Sequence, residues 1–333
     1  MFRLLPVWAR PGHPVLRYIV QRERRRWGLR VRIAMSVLGL LMMAGLAGFG
    51  YRLYTAGELD PLLDEGATTF FTVAYLPLLL VQVSMALTGM TLVTALGLTS
   101  PLTSLDQQRE TWELAKSTTR GAEIVMGARW VGVYYYMGSS LLVMVALRVV
   151  FAGQLVADLL ADDFSLSAAL KGSTPAVSSS LAVALLLLHA VAVSIQPLVL
   201  IGLNAALGLY ISTFISHQLF MRMAMTVLLV VQFIFNLFAF LIGTVVFDAN
   251  PQIGIYGQME PGQRWGGLFL MSAYGDLGLR GMNLGSFARM WEVADYALLL
   301  GPALALLLIL EIVLICWLLR WTMARARRPS RRG

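Results

Sequence analysis

The chain has 333 residues, of which 58% are hydrophobic and only 13% are charged, and its mean hydropathy is +0.72. Charged residues make up about a quarter of a typical soluble domain, so the composition excludes that class and indicates an integral membrane protein. The single cysteine excludes an intrachain disulfide, and the three histidines lie too far apart in the sequence to suggest a metal site. The net charge of +8 does not indicate nucleic-acid binding, because the basic residues gather at the termini, beside apolar segments.

Residues 1–30 form a basic segment in which eight arginines alternate with aromatic and aliphatic side chains. From Pro14 to Arg30 this pattern predicts an amphipathic helix in the headgroup layer, where each arginine gains about 1 kcal/mol from anionic lipid. A solvated basic tail is the alternative. We do not expect a cleaved signal peptide, because the basic region is too long and the next apolar run is long enough to span a membrane.

Six apolar runs of spanning length follow, and we therefore predict an all-α integral membrane protein with six transmembrane helices. The runs lie near residues 31–50, 70–98, 124–151, 180–211, 220–247 and 296–319. The fourth run contains Pro197, where we expect a kink, and the polar residues from Ser212 to His217 predict the turn to the fifth. Residues 31–319 thus form one transmembrane domain, and residues 320–333 form a basic tail.

The distribution of basic residues predicts the orientation of the chain. With the N-terminus in the cytoplasm, the inner segments carry 20 basic residues and the outer segments carry six. This asymmetry follows the positive-inside rule and puts both termini in the cytoplasm. It also puts the loop between the second and third spans inside, and it puts the loop of residues 248–295 outside. That outer loop is rich in glycine and interrupted by apolar residues, so we expect one or two re-entrant helices there, with disorder as the alternative.

The inner segment from Ser100 to Arg129 is strongly charged and lies between two long apolar runs. Pro101 should end the preceding helix, and Ser104 with Gln107 is a capping-box signature for a short cytoplasmic helix over residues 105–117. The charged and aromatic side chains of this helix are candidates for contact with a partner: Asp106, Arg109, Glu110, Trp112, Glu113 and Lys116. Three of them form an acidic stripe at helical spacing.

The same segment resembles the first cytoplasmic loop of type-2 ABC exporter permeases. That family has an E-R-E/R-G-T-x-E-L-L-x-T-P-type coupling helix followed by E-I-x-x-G-K at the start of the third span. The residues that fit are Arg109, Glu110, Thr111, Glu113, Leu114, Thr118, Glu123, Ile124 and Gly127. Thr119 stands where the family usually has proline, and Arg129 stands where it usually has lysine.

The resemblance implies a permease subunit of an ABC exporter in the bacterial cytoplasmic (inner) membrane. It implies two copies of a separate ATPase that bind ATP and magnesium, and a second permease subunit as a homo- or heterodimer. This chain itself has no G-x-x-x-x-G-K-[ST] phosphate loop and none of the common hydrolase motifs, so we expect a transporter subunit rather than an enzyme, with no cofactor of its own. The alternatives are a non-transporting scaffold with the same fold and an ion-coupled carrier.

Two sets of residues inside the predicted spans are candidates for function. In the family the second and fifth spans line the translocation path, so the resemblance implies that their polar side chains contact substrate: Gln82, Thr88, Thr91, Gln232 and Asn236. Hydrogen bonding between helices is the alternative role. Glu311 is the one acid deep within a span, and we predict an ion pair with Arg129, with a water-filled cavity as the alternative. His189 is expected to be a hydrogen-bonded core residue, and Arg148 is expected to extend toward the outer headgroups.

Overall fold

The computed structural model describes residues 9–10, 13–26, 84–85, 87–99, 121–160, 176–215, 217–247, 259–282 and 284–326. Helices make up nearly all of these ranges, and no strand occurs within them. The all-α prediction is therefore confirmed for the described part of the chain. The first predicted span, most of the second and the predicted coupling helix lie outside it.

Nine α-helices follow one another in the described ranges. They are α1 (Pro14–Arg26), α2 (Leu87–Thr99), α3 (Gly121–Tyr136), α4 (Gly138–Leu160), α5 (Ser179–Ser212), α6 (Gln218–Phe247), α7 (Pro261–Leu270), α8 (Leu284–Val293) and α9 (Leu300–Ala326). The backbone hydrogen bonds continue from α3 to α4 across Met137, so the two helices form one bent rod.

Four helical segments are long and apolar enough to cross a membrane: Gly138–Ala157, Ser179–Ser212, Leu219–Val246 and Ala297–Ala326. They overlap the last four predicted apolar runs, although the first of them begins 14 residues after the start of the predicted run 124–151, and six spans stay a prediction. The predicted turn between the fourth and fifth runs is confirmed, since α5 ends at Ser212 and α6 begins at Gln218. Helix α5 continues through Pro197.

Helices α5 and α9 run in the same direction and pack closely at glycines. A side chain on Gly301 would meet the carbonyl oxygen of Leu185 at 2.7 Å, and a Cβ on Gly202 would lie 3.5 Å from Ile315. Small residues at such contacts let two helix backbones approach, which is the usual way that helices associate in a membrane. This pair forms the centre of the described bundle.

Helix α3 joins the bundle through aromatic side chains that donate to backbone carbonyls of α5. Trp130 Nε1 donates to the carbonyl oxygen of Gly202 (2.9 Å), and Tyr134 Oη donates to that of Leu198 (3.0 Å). On its other side, α3 carries the basic helix α1, whose Leu16 and Ile19 lie against Gly132. A helix is therefore present over Pro14–Arg26 of the predicted N-terminal segment, and residues 27–30 lie outside the described part of the chain.

Candidate functional site: a buried polar hairpin

The described part of the segment between α6 and α9 packs along α6, inside the bundle. Gly267 of α7 lies beside Val246 of α6, Met271 lies beside Gly243, and Gly275 lies beside the backbone of Phe240. The chain thus runs along α6 for about 10 Å, a length obtained from the helical rise of 1.5 Å per residue, and then returns through α8. The prediction of short helices between residues 248 and 295 is confirmed, since α7 and α8 both lie there, and the outer position of this segment stays a prediction.

The tip of this hairpin is an irregular turn held by an acidic side chain. A π-helical turn covers Met271–Gly275, and Asp276 Oδ1 then accepts a hydrogen bond from the amide of Gly278 at 2.8 Å. Leu277 (φ 57°) and Gly278 (φ 71°) both have left-handed backbone conformations. Glycine is needed at 278 for space as well, because a Cβ there would overlap the side chain of Val193 of α5.

Asp276 is fully buried between two arginines of different elements. Arg280 Nε lies 3.7 Å from Asp276 Oδ2 within the hairpin. Burial raises the pKa of Asp276 to about 6, against the opposite effects of Arg280, the amide of Gly278 and the more distant Arg148. A carboxyl group with flanking guanidinium groups is the arrangement that makes buried charge tolerable in an apolar bundle.

Arg148 of α4 is completely buried, so the interpretation that it extends to the outer headgroups is wrong. Its Nη1 donates to the carbonyl oxygen of Val193 at 2.8 Å. That carbonyl lies four residues before Pro197, which has no N–H to donate to it. An unpaired carbonyl in an apolar bundle costs free energy, and Arg148 satisfies it from the neighbouring helix.

The hairpin also meets two polar side chains of α5. Gln196 Nε2 donates to the carbonyl oxygen of Ala273, and His189 lies against Gly278 and Gly281 with its ring edge-on to Phe287. The prediction that His189 is a core residue is confirmed, since it is fully buried. Its ring nitrogen Nε2 faces Gly278 and Gly281 of the hairpin, and a hydrogen bond of His189 stays a prediction.

Glu311 of α9 meets the hairpin from the opposite side. Tyr274 Oη donates to Glu311 Oε1 at 3.4 Å, and Glu311 Oε2 has no hydrogen-bond partner among the described residues. The ring of Tyr274 packs edge-on against Phe235 of α6, with 5.1 Å between ring centroids. Tyr274 therefore links α6 to α9, and the site joins four helices to the hairpin tip.

The structure does not bring Glu311 and Arg129 together, so the predicted ion pair is not formed. Glu311 instead accepts its hydrogen bond from Tyr274 of the hairpin. Trp130, next to Arg129, lies against Gly202 of α5 together with Ile315, one turn beyond Glu311, so counting residues from the span ends brought the two charges to similar depths without making them partners.

The described residues of the predicted substrate path make hydrogen bonds within the bundle. Thr88 Oγ1 donates to the carbonyl oxygen of Ser84 (2.8 Å), and Thr91 Oγ1 donates to that of Thr88 (2.7 Å). Asn204 Nδ2 of α5 donates to Gln232 Oε1 at 3.4 Å, which is the interhelical bonding that the alternative role requires. Asn236 is half-buried one turn further along α6. Contact of these residues with substrate stays a prediction.

The remaining predicted site residues lie outside the described part of the chain. They are Gln82 and the six candidates of the coupling helix, namely Asp106, Arg109, Glu110, Trp112, Glu113 and Lys116. Within the described residues, no group of three or more histidine, cysteine, aspartate or glutamate side chains is arranged to hold a metal ion.

No protein-family model, curated protein or solved structure matches the chain. The site must therefore be interpreted from its own geometry. The site holds a short hairpin in an apolar bundle through the buried charged groups Asp276 and Arg148. It also presents the carboxylate of Glu311, which touches Tyr274, whose ring in turn packs against Phe235. The sequence gives one signal for it that was missed: Asp276 stands in the apolar, glycine-containing run SAYGDLGL, where a lone acid needs a partner.

Proposed function

We propose that this chain is the membrane-spanning permease subunit of an ATP-driven ABC exporter. The observation that carries the proposal is the segment of residues 108–129, whose residues resemble the coupling helix and third-span start of that family. A separate ATPase would bind the helix of residues 105–117, and closure of two ATPases on ATP would move that helix as a rigid lever. The second and third spans, which adjoin the lever, would then open or close the path.

The ends of the described helices support this arrangement. Thr99 lies against Gly208 near the end of α5, and Met126 packs with Leu209 and Ala326. The guanidinium of Arg325 lies 3.8 Å from the ring centroid of Phe214 at the same end. Thr99 and the first turns of α3 therefore both lie near the end of the bundle at which α5 and α9 end. A helix that links the second and third spans on one side of the membrane requires this placement of its two flanking ends.

Helix α6 supports the second permease subunit that the proposal includes. It leaves large apolar side chains exposed along most of its length, with Val227, Phe233 and Ile234 each near 60% exposed. Lipid or another copy of a permease must cover this surface, because it cannot face water. The resemblance favours a dimer, in which part of the surface faces the partner.

Co-purification tests the proposal most directly. We expect the tagged full-length chain, solubilised from its native membrane, to bring down an ATPase with a phosphate loop, identified by mass spectrometry. The double change Glu110→Lys and Glu113→Lys should separate ATP hydrolysis from transport without unfolding the protein, since it reverses the acidic stripe. Reversal of Asp64 and Glu65, two acids of a predicted outer loop, is the matched control. Absence of any ATPase would favour the scaffold alternative.

A further inference from the structure

Glu311 has an environment that a purely structural acid would not need. It is 5% exposed on an apolar helix, and only one of its carboxylate oxygens accepts a hydrogen bond, from Tyr274. A carboxylate at such depth costs several kcal/mol unless a positive charge or a donor compensates it. Within the described residues, Arg280 pairs with Asp276 and Arg148 binds the Val193 carbonyl. Among these residues the second oxygen of Glu311 has no hydrogen-bond partner, and no ion pair to Glu311 is formed.

The hydroxyl group of one aromatic residue touches this carboxylate, and a second aromatic ring packs against the first. The hydroxyl group of Tyr274 touches Glu311, and its ring touches Phe235, which is 43% exposed on α6. The negative face of an aromatic ring attracts a cation within about 6 Å of its centroid, and the ring also gives apolar contact. One carboxylate and two rings are therefore chemically complementary to a positive charge that is carried on an apolar body.

We propose that Glu311, Tyr274 and Phe235 form a recognition site for amphipathic organic cations. The carboxylate balances the charge of the ligand, the rings of Tyr274 and Phe235 cover its apolar body, and the partly exposed face of α6 gives the approach from the membrane. The inference rests on the proposed function, because it names the substrate class that the permease would move. Binding itself does not require the ATPase, so the two proposals can fail separately.

The test uses tetraphenylphosphonium and tetraphenylborate, which are similar in size and apolar character and opposite in charge. Binding of radiolabelled tetraphenylphosphonium to the purified full-length chain is measured by equilibrium dialysis in detergent, with empty micelles as the blank. We expect saturable binding that tetraphenylborate does not compete. Glu311→Gln keeps the side-chain volume and removes the charge, and it should weaken binding by at least about tenfold, the usual effect of removing one partner of a buried charge pair.

Three further variants separate recognition from folding. Glu311→Asp keeps the charge and should preserve the selectivity for the cation, and Phe235→Leu should weaken binding about two- to fivefold. Glu260→Gln changes an exposed acid at the start of α7 and should bind as the wild type does. Helical content and monodispersity are checked for each variant. If Glu311→Gln does not fold, the charge selectivity of the wild type and the effect of Phe235→Leu decide the question.

The proposal is overturned if the wild type does not bind the cation, if tetraphenylborate competes equally, or if Glu311→Gln binds as tightly as the wild type. The last result would assign Glu311 another role, such as binding a proton. Selective binding by a chain that brings down no ATPase would keep the site and remove the transport proposal. Recovery of an ATPase partner by a chain that does not bind the cation would remove the recognition site and keep the transport proposal.

Discussion

Gly275 lies where the hairpin tip crosses α6, and its replacement tests whether the two backbones are in contact. A methyl group on Gly275 would lie 2.9 Å from Phe240 Cα and 3.1 Å from its backbone nitrogen. Carbon atoms in contact ordinarily lie about 3.5–4 Å apart, and backbone atoms of a helix cannot rotate away. Gly275→Ala must therefore move the hairpin away from α6 by about half an ångström or more.

We expect this displacement to lower the free energy of unfolding by about 1–3 kcal/mol, as overpacking of a tight contact usually does. Gly266→Ala is the matched control in the same hairpin, because no atom lies within 4 Å of the position of its added methyl group. Alanine is favoured over glycine in a helix by about 1 kcal/mol, so this control should be neutral or stabilising.

Unfolding of the purified variants in detergent, followed by circular dichroism during a titration with sodium dodecyl sulfate, gives the comparison. Gly275→Ala should unfold at a lower fraction of the denaturing detergent than the wild type, and Gly266→Ala should not. Equal midpoints for the two variants, or a more stable Gly275→Ala protein, would refute the reasoning. The backbone contact between the hairpin and α6 would then be too loose to define the site.

Other predictions concern the buried charges and α3. Arg148→Leu leaves the Val193 carbonyl unpaired and removes a positive charge near Asp276, so it should cost about 3 kcal/mol of unfolding free energy. The loss should be smaller in a Pro197→Ala background, where the backbone supplies the missing N–H; equal losses in both backgrounds would contradict this role. Because burial raises the pKa of Asp276 from 3.8 to about 6, the folded protein binds this proton more tightly than the unfolded chain. Its stability should therefore rise as the pH falls from about 7 toward 4, and Asp276→Asn should reduce that rise in unfolding midpoints. Trp130→Phe should cost about 1 kcal/mol through loss of its hydrogen bond to α5, whereas the exposed Trp317→Phe should have no measurable effect on the same midpoint.

Several features of the fold could be predicted from the sequence because they depend on local composition. Apolar runs of spanning length predict helices wherever they occur, and the polar residues after Ser212 predict the turn before α6. The glycine-rich outer loop with apolar interruptions predicts short helices, and α7 and α8 lie within it. Each of these features is predicted by the residues of its own segment and does not depend on distant parts of the chain.

The partners of the buried charges could not be predicted in this way. In a membrane protein both lipid-facing and buried positions are apolar, so periodicity does not identify the inner face of a span. Arg148 therefore looked like a residue near the headgroups, and Glu311 was paired with a cation by counting residues from the helix ends. The structure instead joins Arg148 to the carbonyl that Pro197 leaves free, and it joins Glu311 to Tyr274.

The sequence alone determined that this chain is helical, apolar and basic at its two ends, because each of these properties is a sum over neighbouring residues. The tertiary structure alone decided that the described part of the segment between α6 and α9 packs inside the bundle and that its tip gathers charges from distant segments. Such contacts depend on how whole helices pack, and a carboxylate or guanidinium group in an apolar bundle takes whichever partner that packing brings within reach.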